Sequence, residues 1–137
     1  MLAPLLGITL AATTFVNAGN APSTLPFSDA VQAGDTLYLS GNIGQNPGTM
    51  TFPADFKDEA RQALRNLGLV LHKAGYDYRD VVKVTAFLSD MRDYDAWNSV
   101  YREFFTGPNY PARSTVAVSA LARGAKIEVE MIAVKSH

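Results

Sequence analysis

The sequence predicts an α+β fold, one mixed sheet of six strands with two α-helices packed on a single face. Three observations predict it. Apolar side chains recur at steps of three and four in two separate windows, each closed by Gly or Gly-Pro. Around those windows lie short β-prone segments in which apolar and polar residues alternate. The chain has 137 residues, 47% of them apolar, which suits one compact domain with a real core.

Each element has its own justification. Thr13–Val16 is a short β-prone run that predicts an edge strand, and the Gly, Asn and Pro of residues 17–22 end it. Residues 29–40 read as a hairpin, with Ala30, Gln32, Leu37 and Leu39 alternating around a Gly34-Asp35 turn. Residues 41–53 hold three glycines and two prolines without an apolar period, so they form a loop. From there Phe56, Ala60, Ala63, Leu64, Leu67, Val70, Leu71 and Ala74 mark one buried face of a helix, with Asp55 placed to cap its start and Gly75 its end.

Val81–Leu88 returns to strand composition, with Val82, Val84, Ala86 and Leu88 expected on one face and Lys83 and Thr85 on the other. After Asp93, the stripe Trp97, Val100, Tyr101, Phe104 and Phe105 predicts a second helix that Gly107-Pro108 stops. At helical spacing that aromatic stripe is core packing rather than a ligand box. Residues 113–119 and 126–134 close the order β-β-β-α-β-α-β-β as two strands. In them Val116, Val118, Ile127, Val129 and Met131 are expected under the helices, leaving Arg113, Thr115, Ala117, Glu128 and Glu130 on the open side. That mixed face is either solvated or an assembly surface with a site built into it, and Ile132 and Val134 favour assembly.

Composition narrows the chemistry. Twelve basic and thirteen acidic residues are scattered along the chain, for a net charge of -1, which gives no reason to expect nucleic acid. There are no cysteines, which removes disulfides, thiolate metal sites and a cysteine nucleophile. His72 and His137 lack the paired spacing of a metal site, so no metal or cofactor is expected. Ser40 has no histidine near it in sequence to make it a nucleophile.

Residues 1–12 form an apolar leader, too short to span a bilayer, followed by small residues of the kind signal peptidase accepts, yet with no Lys or Arg before it. It reads as the remnant of an export signal, placing the protein in the periplasm, or as a lead-in to the first strand of a cytoplasmic protein. No stable membrane association is expected. Residues 13–137 form the single domain.

The stretch Pro111-Ala112-Arg113-Ser114-Thr115-Val116, followed by residues 124–134 (GAKIEVEMIAV), resembles the signature of the Rid family, also called YjgF. Supporting matches are residues 26–31, Leu39-Ser40-Gly41, Asn98-Ser99-Val100-Tyr101 and Phe104-Phe105, all in the family's order. The resemblance implies a chorismate-mutase-like fold assembling as a homotrimer, with three sites in clefts between subunits. It implies metal-independent hydrolysis of reactive 2-imino or enamine acids to 2-oxo acids and ammonia. Arg113 would grip the substrate carboxylate and Glu128 would position or activate water, while Phe27, Ser40, Asn98 and Thr115 would line the pocket.

The chemistry suits those residue types. A guanidinium fork meets a carboxylate through parallel charge-assisted bonds worth about 1.5–3 kcal/mol each, and it stays charged at any working pH. Imine hydrolysis needs nitrogen protonated, water delivered to carbon and a proton moved to the leaving amine, which one carboxylate can shuttle. The plain alternative for Arg113 and Glu128 is an inter-strand ion pair; for Glu130 it is an interface or hydrogen-bonding role. Where Phe27 stands, many deaminating members carry tyrosine, so a hydroxyl is missing; Thr115 replaces a common cysteine, a mild change. Two further functions fit the resemblance: a non-catalytic small-carboxylate-binding or holdase role, and a ribonuclease or translation-inhibitor role, against which the near-neutral charge argues.

Overall fold

The computed structural model describes residues 1–4, 7, 12–19 and 24–136. Half of the expected leader, residues 5, 6 and 8–11, lies outside the described residues, as do residues 20–23, which include part of the first turn cluster, and His137. No helix among the described residues is long and apolar enough to cross a membrane.

Among the described residues six strands form one sheet: β1 (Thr13–Val16), β2 (Ala30–Ala33), β3 (Thr36–Ile43), β4 (Val81–Leu88), β5 (Ala112–Ala117) and β6 (Ile127–Val134). Their lateral order is β1-β2-β3-β6-β4-β5, antiparallel throughout except for the parallel pair β4 and β5. The β2–β3 hairpin closes through Gly34 and Asp35, with Ala33 opposite Thr36 and Gly34 at φ +61. Glycine at the first central position is what a two-residue turn of this hand requires.

Two helices, α1 (Phe56–Lys73) and α2 (Tyr94–Phe104), pack over one face, as their apolar periods predict. Under them lie Leu37 and Leu39 of β3, Val84, Ala86 and Leu88 of β4, and Ile127, Val129, Met131 and Ala133 of β6, all buried. Leu64, Leu67, Val70 and Leu71 of α1 and Trp97 and Val100 of α2 complete that core. Asp55 occupies the N-cap position of α1 without a side-chain hydrogen bond, so the start of the helix is held by packing of Phe56 rather than by the expected cap.

Two facing assignments made from alternation are corrected. A register irregularity between Val81 and Lys83 turns Val82 outward, where it is 47% exposed, and buries Val81 instead. In β5 the parity is inverted: Arg113 pairs with buried Val84 and Thr115 with buried Ala86, so both face the helices. Val116, paired with Phe87, lies on the open face and is 44% exposed. The open face of β6 carries Glu128, Glu130 and Ile132 as expected, because their neighbours Val129 and Met131 are the buried ones.

Candidate active site

Arg113 sits on the outermost strand of the sheet and leans toward α2. Its guanidinium carbon lies 4.6 Å from the ring centroid of Tyr101 and 5.8 Å from those of Tyr94 and Trp97. One guanidinium nitrogen, Nη2, donates to Asn98 Oδ1 at 2.6 Å. Residues 94, 97, 98 and 101 fall at helical steps of three and four, so one stripe of α2 supplies both the aromatic bed and the amide. Thr115, two residues along β5, accepts a hydrogen bond from Trp97 Nε1 at 3.3 Å and ties strand to helix beside the arginine.

This arrangement fixes the guanidinium while leaving most of its hydrogen-bonding capacity unspent. An arginine has five N–H donors, of which Asn98 takes one. Among the described residues no carboxylate forms an ion pair with Arg113. Burial pushes the Tyr101 phenol up to about 12, although Arg113 pulls it down, so the ring beneath the cation is neutral at working pH. A planar cation stacked on an aromatic face and held at one edge presents its other edge to an anion.

Glu128 lies on the other side of the sheet. It pairs with Ile43 of β3 and Phe87 of β4, and β4 separates it from β5. An inter-strand ion pair between Arg113 and Glu128 within one chain is therefore excluded by topology, as is a site that one subunit could assemble from both. Partial burial lifts the Glu128 carboxyl above the ordinary glutamate range, and neighbouring Glu130 adds to the rise. A carboxyl so placed holds and releases a proton closer to neutrality than a solvated one.

The space for Glu128 comes from Gly41. A Cβ at that position would stand 2.9 Å from the Glu128 Cδ, so any side chain there displaces the carboxyl. Gly41 and Ser40 occupy the register irregularity of β3 between Leu39 and Asn42. The Ser40 hydroxyl donates to the Ser28 carbonyl at 2.6 Å, and its backbone N–H donates to the Asp29 carbonyl at 2.9 Å. Its proton is thus engaged with the backbone, and only its lone pairs remain for a guest. These bonds hold the segment preceding β2 against β3, and that segment carries Phe27, 51% exposed.

The six residues picked from the sequence therefore divide into two half-sites. Arg113, Asn98 and Thr115 gather at the α2 side of β5, whereas Glu128 and Ser40 stand with the β3 irregularity, Phe27 on the adjoining segment. Tyr101 lies against Arg113 and Gly41 against Glu128, and neither is among the candidates the sequence offers. Tyr101 is core packing, as the aromatic stripe predicts, and it also lies three residues from Asn98 on one helical stripe, a spacing that links the two.

The family described as Endoribonuclease L-PSP matches residues 18–135. The chain belongs to this family, the Rid or YjgF family. A mouse Rid relative named 2-iminobutanoate/2-iminopropanoate deaminase is 42% identical over 122 residues, spanning 88% of this chain and 90% of the relative. Among solved Rid structures, the yjgF gene product of E. coli superposes with a TM-score of 0.83 at 38% identity, covering 90% of this chain and 99% of that one. The structure of E. coli TdcF with bound serine matches with the same TM-score and coverage at 36% identity.

Proposed function

We propose that this Rid protein is a homotrimeric deaminase that hydrolyses 2-imino acids to 2-oxo acids and ammonia, each site formed by Arg113 of one subunit and Glu128 of the next. The observation that carries the reading is Arg113 itself, seated on Tyr101 and Asn98 with no ion pair to a carboxylate among the described residues. Relatives of about 40% identity bear the name of that activity, and one relative's structure holds serine, a small amino acid.

The chemistry follows from the two groups. The substrate carboxylate takes the free edge of the Arg113 guanidinium, which fixes the adjacent C=N carbon in the cleft. Glu128 in its carboxylate form draws a proton from water as the water oxygen bonds to that carbon. The substrate enters as the iminium, and its C=N double bond becomes a C–N single bond to a neutral amine. Glu128 then returns the proton to that amine; its regenerated carboxylate takes the remaining hydroxyl proton as the C–N bond breaks, so that ammonia leaves, C–O closes to C=O of the 2-oxo acid, and the proton the iminium brought passes from Glu128 to solvent. A carboxyl with a raised pKa serves both directions of this shuttle. Thr115 and Asn98 border the carboxylate end, and Phe27 and Ser40 the water end.

The test is direct. An amino-acid oxidase generates the imine in situ, and its decay is followed with and without the protein. The expected result is acceleration that Arg113→Ala and Glu128→Gln each abolish. No acceleration by the wild-type chain, or undiminished acceleration by Arg113→Ala, defeats the proposal. Retained binding of a 2-oxo acid without any acceleration would instead assign the same cleft to carboxylate binding alone.

A further inference from the structure

A buried acid on α1 stands behind the half-site of Glu128. Glu59 is 2% exposed, within the apolar stripe of α1, and its Oε1 accepts the backbone N–H of Lys126 at 2.7 Å. Lys126 immediately precedes β6, two residues before Glu128. The Lys126 carbonyl is held from the other side by the Ser89 N–H at 3.0 Å, and its ammonium donates to the Ala54 carbonyl at 3.3 Å. The entry of β6 is thus pinned by backbone and side-chain bonds that converge on one residue.

The strand opposite is pinned from the same helix. Asn66, two turns along α1 from Glu59, donates through Nδ2 to the carbonyls of Ile43 and Gln45 at 3.1 and 3.0 Å. Gln62, between them, donates to Asn66 Oδ1 at 2.8 Å and sets the amide's orientation. Ile43 is the register partner of Glu128. At Gly44 the chain comes so close to α1 that a Cβ would collide with the Glu59 carbonyl oxygen. The helix therefore grips the backbone on both sides of Glu128, although it lies on the opposite face of the sheet from that carboxyl.

We infer that Glu59, with Asn66, is a positioning residue for Glu128: by holding the Lys126 amide and the Ile43 carbonyl it fixes the strand pair that aims the catalytic carboxyl at its water. This rests on the deaminase reading above. Two details make a purely structural role for Glu59 the poorer account. Its nearest neighbours in the stripe, Phe56, Ala60 and Ala63, are apolar, so packing alone would be met by an aliphatic side chain, which would leave the Lys126 N–H without its acceptor. Its acceptor is also spent on the segment that leads into Glu128, while the core on its other sides is already closed.

The experiment compares wild type, Glu59→Gln and Glu59→Ala in imine hydrolysis, with KM and kcat separated. Gln keeps an acceptor oxygen for the Lys126 amide and is expected to retain kcat within about twofold, whereas Ala lowers kcat by about tenfold to a hundredfold with KM little changed, since misplacement of a catalytic group costs rate on that scale. Binding of a 2-oxo acid, which reads the Arg113 end, is expected to stay within about twofold in both variants. Undiminished kcat in Glu59→Ala, or an equal loss in Gln and Ala, overturns the inference while leaving the deaminase reading intact. If wild type itself shows no hydrolysis, the deaminase reading fails first. Should Glu59→Ala not fold, hydrogen exchange in the wild-type protein decides: a Lys126 amide protected as strongly as the centre of β6 is expected, and free exchange there overturns it.

Discussion

Arg113 is held by a ring and an amide, and each support has a separable consequence. Replacing it with Ala removes both of the charge-assisted bonds proposed to hold the substrate carboxylate, and kcat/KM for imine hydrolysis is expected to fall by about a hundredfold or more. Arg113→Lys recovers little, because an ammonium lacks the planar fork that meets a carboxylate with two parallel bonds. Steady-state kinetics on the three proteins check the ranking. Tyr101 divides its own contributions by atom. Its hydroxyl is buried and has no hydrogen-bond partner among the described residues, so Tyr101→Phe is expected to raise unfolding free energy by about 1 kcal/mol in urea titrations with activity retained. Tyr101→Leu removes the aromatic bed, and KM is expected to rise by about 2- to 30-fold, the equivalent of about 0.5–2 kcal/mol of cation–π attraction. A Phe variant that loses activity as the Leu variant does would show that the hydroxyl, not the ring, is what matters.

At the scale of elements, the sequence was most legible where a periodic face is long. The eighteen residues of α1 and the eight of β6 show their buried sides unambiguously, since a single shift of register would bring apolar residues such as Leu67 or Val129 into water. β5 is six residues on the sheet edge, only partly covered, and places Val116 in the open and a cation toward the helices. Alternation in so short a strand carries no inside, and the pairing with β4 decides it. Of the proposed site, Arg113 and Glu128 are visible through the family signature, but their opposite facings are not, because the order of strands is set by contacts distant in sequence. Glu59 is not legible as a buried residue because an acid is ordinarily on the surface; its position three residues after Phe56 and beside Ala60 is the available sign.

Glu59 also gives the sheet-helix layer a pH signature. Burial raises its carboxyl above the ordinary glutamate range, against the Lys126 amide and ammonium, which lower it. The folded state therefore keeps a proton that the unfolded chain has released. Stability falls as pH climbs from the unfolded value of about 4.3 through the raised folded value, and the full penalty is present above both. Glu59→Gln removes that titration. Its urea midpoint is expected to match that of wild type below about pH 4 and to exceed it increasingly toward neutrality, where wild type alone carries the cost. A variant whose deficit or gain is constant across this range would show that Glu59 does not titrate differently in the two states.

For the whole molecule, the decisive fact is that Arg113 and Glu128, the two proposed half-sites, lie on opposite faces of one sheet. Tyr38, 51% exposed, and Val116 are large apolar residues left on the open face, where Lys83, Thr85, Glu130 and Ile132 line a shallow cavity of about 180 Å³. Covering such a face with further copies removes apolar area from water and, when the contact is head-to-tail and closes into a ring, brings the α2 side of one chain to the Glu128 side of the next. The proposed trimer therefore makes a prediction that no monomeric site can satisfy. Arg113→Ala and Glu128→Gln are each expected to be inactive, yet unfolding and refolding them together in equal amounts should restore about one quarter of wild-type activity, because in randomly assorted rings a site is intact when an Arg113-bearing chain is followed by a Glu128-bearing one. Light scattering on the same sample should give the mass of three chains. A mixture that stays inactive while eluting as mixed trimers would mean that Arg113 and Glu128 do not work on one substrate, and that the two half-sites serve different ends.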